Sequence, residues 1–367
     1  MRGLTARQAA TRGISSLAVA ALAIGVLPSL GSGVAGAQGG TISYTKATAS
    51  NKVAETDVNG GQKIVSVWSD AMGAEIPSIV QPPANGNRNA PVLYLLNGAG
   101  GGEDSATWQA QSDVTRFMGD KNMWTVTPIG GRGTYYTDWQ NYDPNVGTNI
   151  VKKTNKPLKL ETFMTWELPF QFENHFGGSV DENRKRGIAA ISMTGTSVLN
   201  YAEHAPGRFQ FVGAYSGCAE TATPIGHAAV QVVTQFTGGP NLDNMWGPFP
   251  GQGWTDNDPV AGAWKLKDKT PVMYITSGNG LPGPHETLDN PRIDGNVGVL
   301  ANQAIVGGVL EAATNYCTAN LGRRFNELGI PGDKAHFNYR PNGTHSWGYW
   351  QDDLHDSWPH MAFALGV

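Results

Sequence analysis

The segment Ala190-Ile191-Ser192-Met193-Thr194-Gly195 carries the clearest chemical signal in the chain. A β-rich apolar run, Gly187 to Ile191, leads into Ser192, and helix-compatible residues lead away from it. A serine on a sharp strand-to-helix turn presents its hydroxyl as a nucleophile, and small neighbours relieve the strained, crowded backbone there. The G-x-S-x-G pattern is incomplete: Ala190 stands at the first glycine, Thr194 at the last, and Gly195 comes one residue later. A strand-end serine that merely caps the following helix has the same local appearance.

A serine hydroxyl attacks an acyl carbon only when a base takes its proton and an acid orients that base. On a strand–turn–helix site the chain order is serine, acid, histidine. The C-terminal third holds His285, His336, His345, His355 and His360. His345 lies in Asn342-Gly343-Thr344-His345-Ser346-Trp347, a glycine-containing loop after a short β-like segment, which suits a catalytic base. His355 and His360 fall on a surface helix, five apart, which is not a usual zinc spacing, so no metal is implied, nor any other cofactor. Three acids compete: Glu286 and Asp289 follow a candidate strand, and Glu311 sits inside an apolar helical stretch. A carboxylate in apolar surroundings needs a partner. Residue types alone leave the three open. Acyl transfer also needs N–H donors for the oxyanion. The amide after the nucleophile, Met193, supplies one, and the loop Asn97 to Gly102 offers others.

These groups need a scaffold that brings strand ends together. Pro91 to Leu96, Met123 to Pro128, Gly187 to Ile191, Phe209 to Tyr215 and Pro271 to Ile275 read as strands buried on both faces. Helical patterns cover Thr107 to Phe117, Thr194 to Glu203, about Val297 to Leu328, and 347–365; Phe337 to Tyr339 is a short last strand. The alternation predicts an α/β fold with a mostly parallel central sheet flanked by helices. Ile64 to Trp68 and Ile76 to Val80 have no helix between them and predict an antiparallel N-terminal edge.

Composition narrows the setting. Only 15% of the 367 residues are charged, against about 25% in typical soluble domains, and the net charge is −4 without basic blocks, which excludes nucleic acid as a partner class. Arg2, Arg7 and Arg12 precede an apolar stretch from about Leu17 to Leu30, followed by Ala35-Gly36-Ala37. This is the pattern of a secretory signal peptide spanning 1–37. Its removal takes three basic residues and no acid, which lowers the charge to −7. Residues 38–367 read as one domain, secreted or placed in the cell envelope. The most apolar later segment, Val297 to Ala313, is interrupted by Asn302, Gln303 and Glu311, so no membrane span is expected. Cys218 and Cys317 are the only cysteines; in an exported chain a disulfide between them is allowed if geometry permits.

Over nearly the whole mature length the chain resembles the secreted mycolyltransferases of the antigen-85 type. Its landmarks are Tyr94-Leu95-Leu96-Asn97-Gly98, Pro128-Ile129-Gly130-Gly131, Tyr136-Thr137-Asp138-Trp139, Glu167-Leu168-Pro169 and Ser192-Met193-Thr194-Gly195, in that order. Met245-Trp246-Gly247-Pro248, Gly278-Asn279-Gly280 and Pro341-Asn342-Gly343-Thr344-His345-Ser346-Trp347 follow.

The resemblance implies an α/β-hydrolase fold and transfer of a mycoloyl chain from trehalose monomycolate to a second one, to cell-wall arabinogalactan or to protein. It implies Ser192 as nucleophile, His345 as base and Glu311, in Leu310-Glu311, as acid. The Ala99 and Met193 amides would form the oxyanion hole. Asn97, Ser346, Trp347 and Trp246 would contact substrate, with Tyr136 and Trp166 further aromatic candidates. The partners implied are trehalose mycolates, cell-wall glycan or protein acceptors, and the mycolate outer-membrane surface. Where the mycobacterial pattern has Asp-Gly-Leu-Arg, this chain has Asn97-Gly98-Ala99-Gly100, and Ser277 replaces a family cysteine. Cys218 and Cys317 are absent from that pattern, and a bond between them would steady the acid-bearing helix. These departures are similar to the corynebacterial branch. A secreted carboxylesterase and a non-catalytic wall- or matrix-binding module are the competing classes.

Overall fold

A computed structural model describes residues 43–147, 154–177 and 184–367. The expected export segment, 1–37, lies outside the described residues.

Nine strands form one sheet: β1 (Val53–Asp57), β2 (Lys63–Ser69), β3 (Ala74–Gln81), β4 (Val92–Leu96), β5 (Trp124–Pro128), β6 (Arg186–Ile191), β7 (Phe211–Tyr215), β8 (Val272–Ser277) and β9 (Ala335–Tyr339). Their order is β1-β2-β3-β5-β4-β6-β7-β8-β9. From β5 to β9 every neighbour is parallel, whereas β1, β2, β3 and β5 pair antiparallel, as the missing crossover helices predict. The fold is that of an α/β hydrolase.

Each central strand is buried along its length. Successive side chains take opposite faces, so Tyr94 and Leu96 join one apolar core while Leu93 and Leu95 join the other. That is why these segments read as continuous apolar runs. The helices cover the faces: α1 (Trp108–Gln111), α2 (Val114–Gly119), α3 (Leu168–Gly177), α4 (Met193–His204), α5 (Pro224–Phe236), α6 (Val297–Leu328) and α7 (Trp347–Leu365). The helix expected over Thr107 to Phe117 is two short ones. Thr107 caps the first, and the Ser112 hydroxyl donates back to the Trp108 carbonyl (2.5 Å) at the break.

Chain order reverses beside β4, whose neighbours are β5 on one side and β6 on the other. In such sheets a crevice opens beyond the strand carboxyl ends at the reversal. The loops after β4 and β6 are the Asn97 and Ser192 segments. Helix α6 is π-helical over Gln303–Gly307, a local widening often found near functional sites.

Candidate active site

Ser192 links β6 to α4 with φ 56° and ψ −126°, a conformation that L-residues rarely adopt. Its amide donates to the Tyr215 carbonyl (2.9 Å), which ties the turn to β7. The departures from the glycine pattern now have a physical account. The Thr194 hydroxyl lies 2.8 Å from the Asn97 carbonyl and 2.9 Å from that of Ile191, joining the nucleophile turn to the β4 loop. Gly195 is the position that must stay small: a Cβ there would lie 3.0 Å from Gly217 Cα.

His345 Nε2 lies 2.7 Å from Ser192 Oγ, and His345 Nδ1 lies 2.8 Å from Glu311 Oε2. Glu311 is fully buried. Its second oxygen accepts from Ser216 Oγ (2.8 Å) and from the Gly278 amide (2.6 Å). Arg340 stands behind it, with Nη2 3.6 Å from Oε1, and also pairs with buried Asp353. A buried carboxylate survives when it is hydrogen-bonded and paired in this way. Burial pushes the Asp353 carboxyl up to about 6, against the opposing pull of Arg340. The Trp350 indole donates to Ser216 Oγ (3.1 Å) and its ring meets His345 edge-on at 5.0 Å.

Glu286 and Asp289 are not beside His345 Nδ1. Asp289 is exposed. Glu286 instead braces the histidine loop: it accepts from Thr344 Oγ1 (2.6 Å), Ser346 Oγ (3.3 Å), Tyr349 OH (2.6 Å) and the Gly283 amide (2.9 Å). The His345 amide donates to the Gly307 carbonyl (3.1 Å) in the π turn of α6. His345 is therefore fastened on both sides.

Met193 opens α4, and Ala99 lies in the β4 loop, where a Cβ on neighbouring Gly98 would sit 3.5 Å from Ser192 Cβ. Among the described residues neither amide has an acceptor. Trp347 is half-buried against Trp108 and Trp350 beside the histidine. The structure buries the other residues expected to contact substrate. Asn97 is buried and accepts from the Trp108 amide (3.0 Å); Ser346 is buried against Glu286. Trp246 is buried and donates to Thr137 Oγ1 (3.0 Å). Groups so enclosed brace the loops and present little surface to a sugar. Tyr136 is likewise buried, with its hydroxyl on the Gly130 carbonyl (2.6 Å), and exposed Trp166 carries the Arg208 guanidinium over its ring at 3.9 Å.

The sequence alone does not single out Ser216, Gly278, Glu286, Arg340 and Trp350 for these supporting parts. Three of them share a positional signal: Ser216, Gly278 and Arg340 each follow a parallel strand directly, at its carboxyl end. Finally, a disulfide joins Cys218 to Cys317, with Cα atoms 5.0 Å apart, and so ties the β7 end to α6 less than two turns beyond Glu311.

A hydroxyl, an imidazole and a buried carboxylate in series on a nucleophile turn, with free amides beside them, define a serine-dependent enzyme of the α/β-hydrolase class. Residues 69–361 match the esterase family, described as "Putative esterase". The chain belongs to that family, and within it to the antigen-85 type of serine-dependent acyltransferase. It is 29% identical over 305 residues to the diacylglycerol acyltransferase/mycolyltransferase Ag85A of Mycobacterium leprae, covering 83% of each chain. It is 28% identical over 305 residues to Ag85B of Mycobacterium intracellulare, again covering 83% of each. The MPT51 structure from Mycobacterium tuberculosis shares the fold, with TM-score 0.63 and 20% identity over 82% of this chain and 97% of that one.

Proposed function

We propose that the protein is a mycolyltransferase that takes a mycoloyl chain from trehalose monomycolate and passes it to a sugar hydroxyl. The acceptor is a second trehalose monomycolate or cell-wall arabinogalactan. In this role 1–37 is an export signal, and 38–367 acts as one domain at the cell envelope. One observation carries the proposal: Ser192 Oγ, His345 and Glu311 stand in a hydrogen-bonded series. The acyltransferase relatives supply the transfer chemistry.

The proton of Ser192 Oγ moves to His345 Nε2 as Oγ bonds to the ester carbon. Glu311 holds the imidazole through Nδ1 and balances the charge it acquires. The Ala99 and Met193 amides receive the oxyanion. The intermediate collapses, the bond to the trehalose oxygen breaks, and His345 returns its proton to that oxygen. The product is a mycoloyl ester on Ser192. A sugar hydroxyl then gives its proton to His345, attacks the ester and restores the serine, completing a ping-pong cycle.

The test is incubation of the mature protein with trehalose monomycolate, beside Ser192→Ala. Dimycolate and free trehalose from the wild type alone is the expected result. Free mycolic acid in place of dimycolate would make water the acceptor and the protein an esterase. Neither product from a folded sample would overturn the proposal.

A further inference from the structure

Helix α6 carries a surface that acyl transfer does not explain. Its first segment, Val297–Asn302, contains no buried residue. Val297, Ile305 and Val309 are 66%, 60% and 58% exposed, and Ala301 between them is exposed as well. These apolar residues recur every four positions. On an α-helix such a spacing drifts around the axis, and the wider π turn at Gln303–Gly307 offsets part of that drift. Tyr316 further along and Leu281 nearby add to the exposed apolar surface.

From Gly295 to Gly322 the only charged residue is Glu311, which is buried. Among the described residues, α6 is the one helix long and apolar enough to cross a membrane, yet only 22% of its most apolar 18-residue window is buried in the protein. A core helix of this composition would be mostly covered. Nor is α6 free to leave the fold: Cys317 is bonded to Cys218, and Glu311 is held by Ser216 and Gly278. The stripe is also continuous with the active site, because Gly307, between Ile305 and Val309, accepts the His345 amide.

We propose that the outer face of α6 docks on an uncharged lipid surface and holds the active site at that boundary. Exposed apolar surface of this kind marks contact with membranes or proteins. Charge favours the membrane: the stripe offers no ionic group to set register with a protein partner, and the net negative chain would be repelled by anionic lipid. The role rests on the acyl-transfer reading above, since a long-chain acyl donor resides in such a surface.

The experiment is flotation of the mature protein with phosphatidylcholine vesicles. The variants are Val297→Glu/Ile305→Glu and Phe363→Glu. Phe363 is 80% exposed on α7, near Leu365, which packs against Gly187 at the opposite end of the sheet. The wild type and Phe363→Glu should float with the vesicles, and partitioning of the double variant should fall about tenfold or more. All three should hydrolyse soluble p-nitrophenyl butyrate at equal rates. No flotation of the wild type, or an equal loss in Phe363→Glu, would overturn the docking surface. So would a dimer that the double substitution dissolves, without vesicle binding. Flotation with no ester turnover by any form would leave the docking surface standing and overturn the acyl-transfer reading instead.

Discussion

Ser192 and His345, the proposed nucleophile and base, are held by different means. Ser192 is positioned by backbone: a buried strand, a positive-φ turn, a helix, and a glycine contact between Gly195 and Gly217. His345 and Glu311 are positioned chiefly by side chains: Glu286 braces the histidine loop, Ser216 and Arg340 surround Glu311, and a disulfide anchors its helix. The first half is set by backbone geometry, locally at the turn and through its contacts with β7 and the β4 loop. The second is assembled from segments far apart in sequence. Substitutions should therefore act locally in the first half and spread through a network in the second.

The largest effect should come from Ser192→Ala, which should lower transfer by about 10⁴-fold or more and leave thermal stability nearly unchanged, because the turn survives. A large fall in melting temperature would break the contrast. Glu311→Gln should cost on the order of 10³-fold in kcat, since the imidazole loses its charged partner. It should also destabilise the fold, which thermal unfolding would register, because Ser216, Gly278 and Arg340 lose a carboxylate.

Glu286→Ala should reduce kcat about 10- to 100-fold by releasing the loop that carries His345, without touching substrate. Glu286→Gln should restore part of the loss, and an unchanged kcat in the alanine variant would show that the loop holds itself. Removing the disulfide by Cys218→Ser/Cys317→Ser should lower stability by about 2–5 kcal/mol, as it closes a loop of 99 residues. Urea unfolding measures this, and the Ser192 turn should retain its reactivity below the transition.

The smallest effect concerns pH. Asp353 is pushed from an ordinary value of 3.8 up to about 6 by burial. Between these values the folded protein holds a proton that the unfolded chain has released, so this group's contribution to stability falls as pH rises through the window. Asp353→Asn should flatten that part of the stability–pH profile, and an unchanged slope would assign it to other groups.

Local patterns in the chain are enough to fix the elements that recur along it. Buried strands appear as apolar runs because both faces are covered, and the nucleophile turn appears because strand, serine and helix are contiguous. His345 was legible for the same reason, lying in a glycine-containing loop after a short strand. The acid was not. Glu286 and Glu311 are both buried glutamates in plausible chain order, and only the path of α6 across the sheet decides which one reaches His345 Nδ1. Nor could sequence show that Asn97, Ser346 and Trp246 turn inward, since a polar or aromatic residue beside a site can brace it or face the ligand. Tertiary packing decided those orientations and closed the Cys218–Cys317 gap. Contacts between distant segments depend on where whole elements come to rest, which no local pattern encodes.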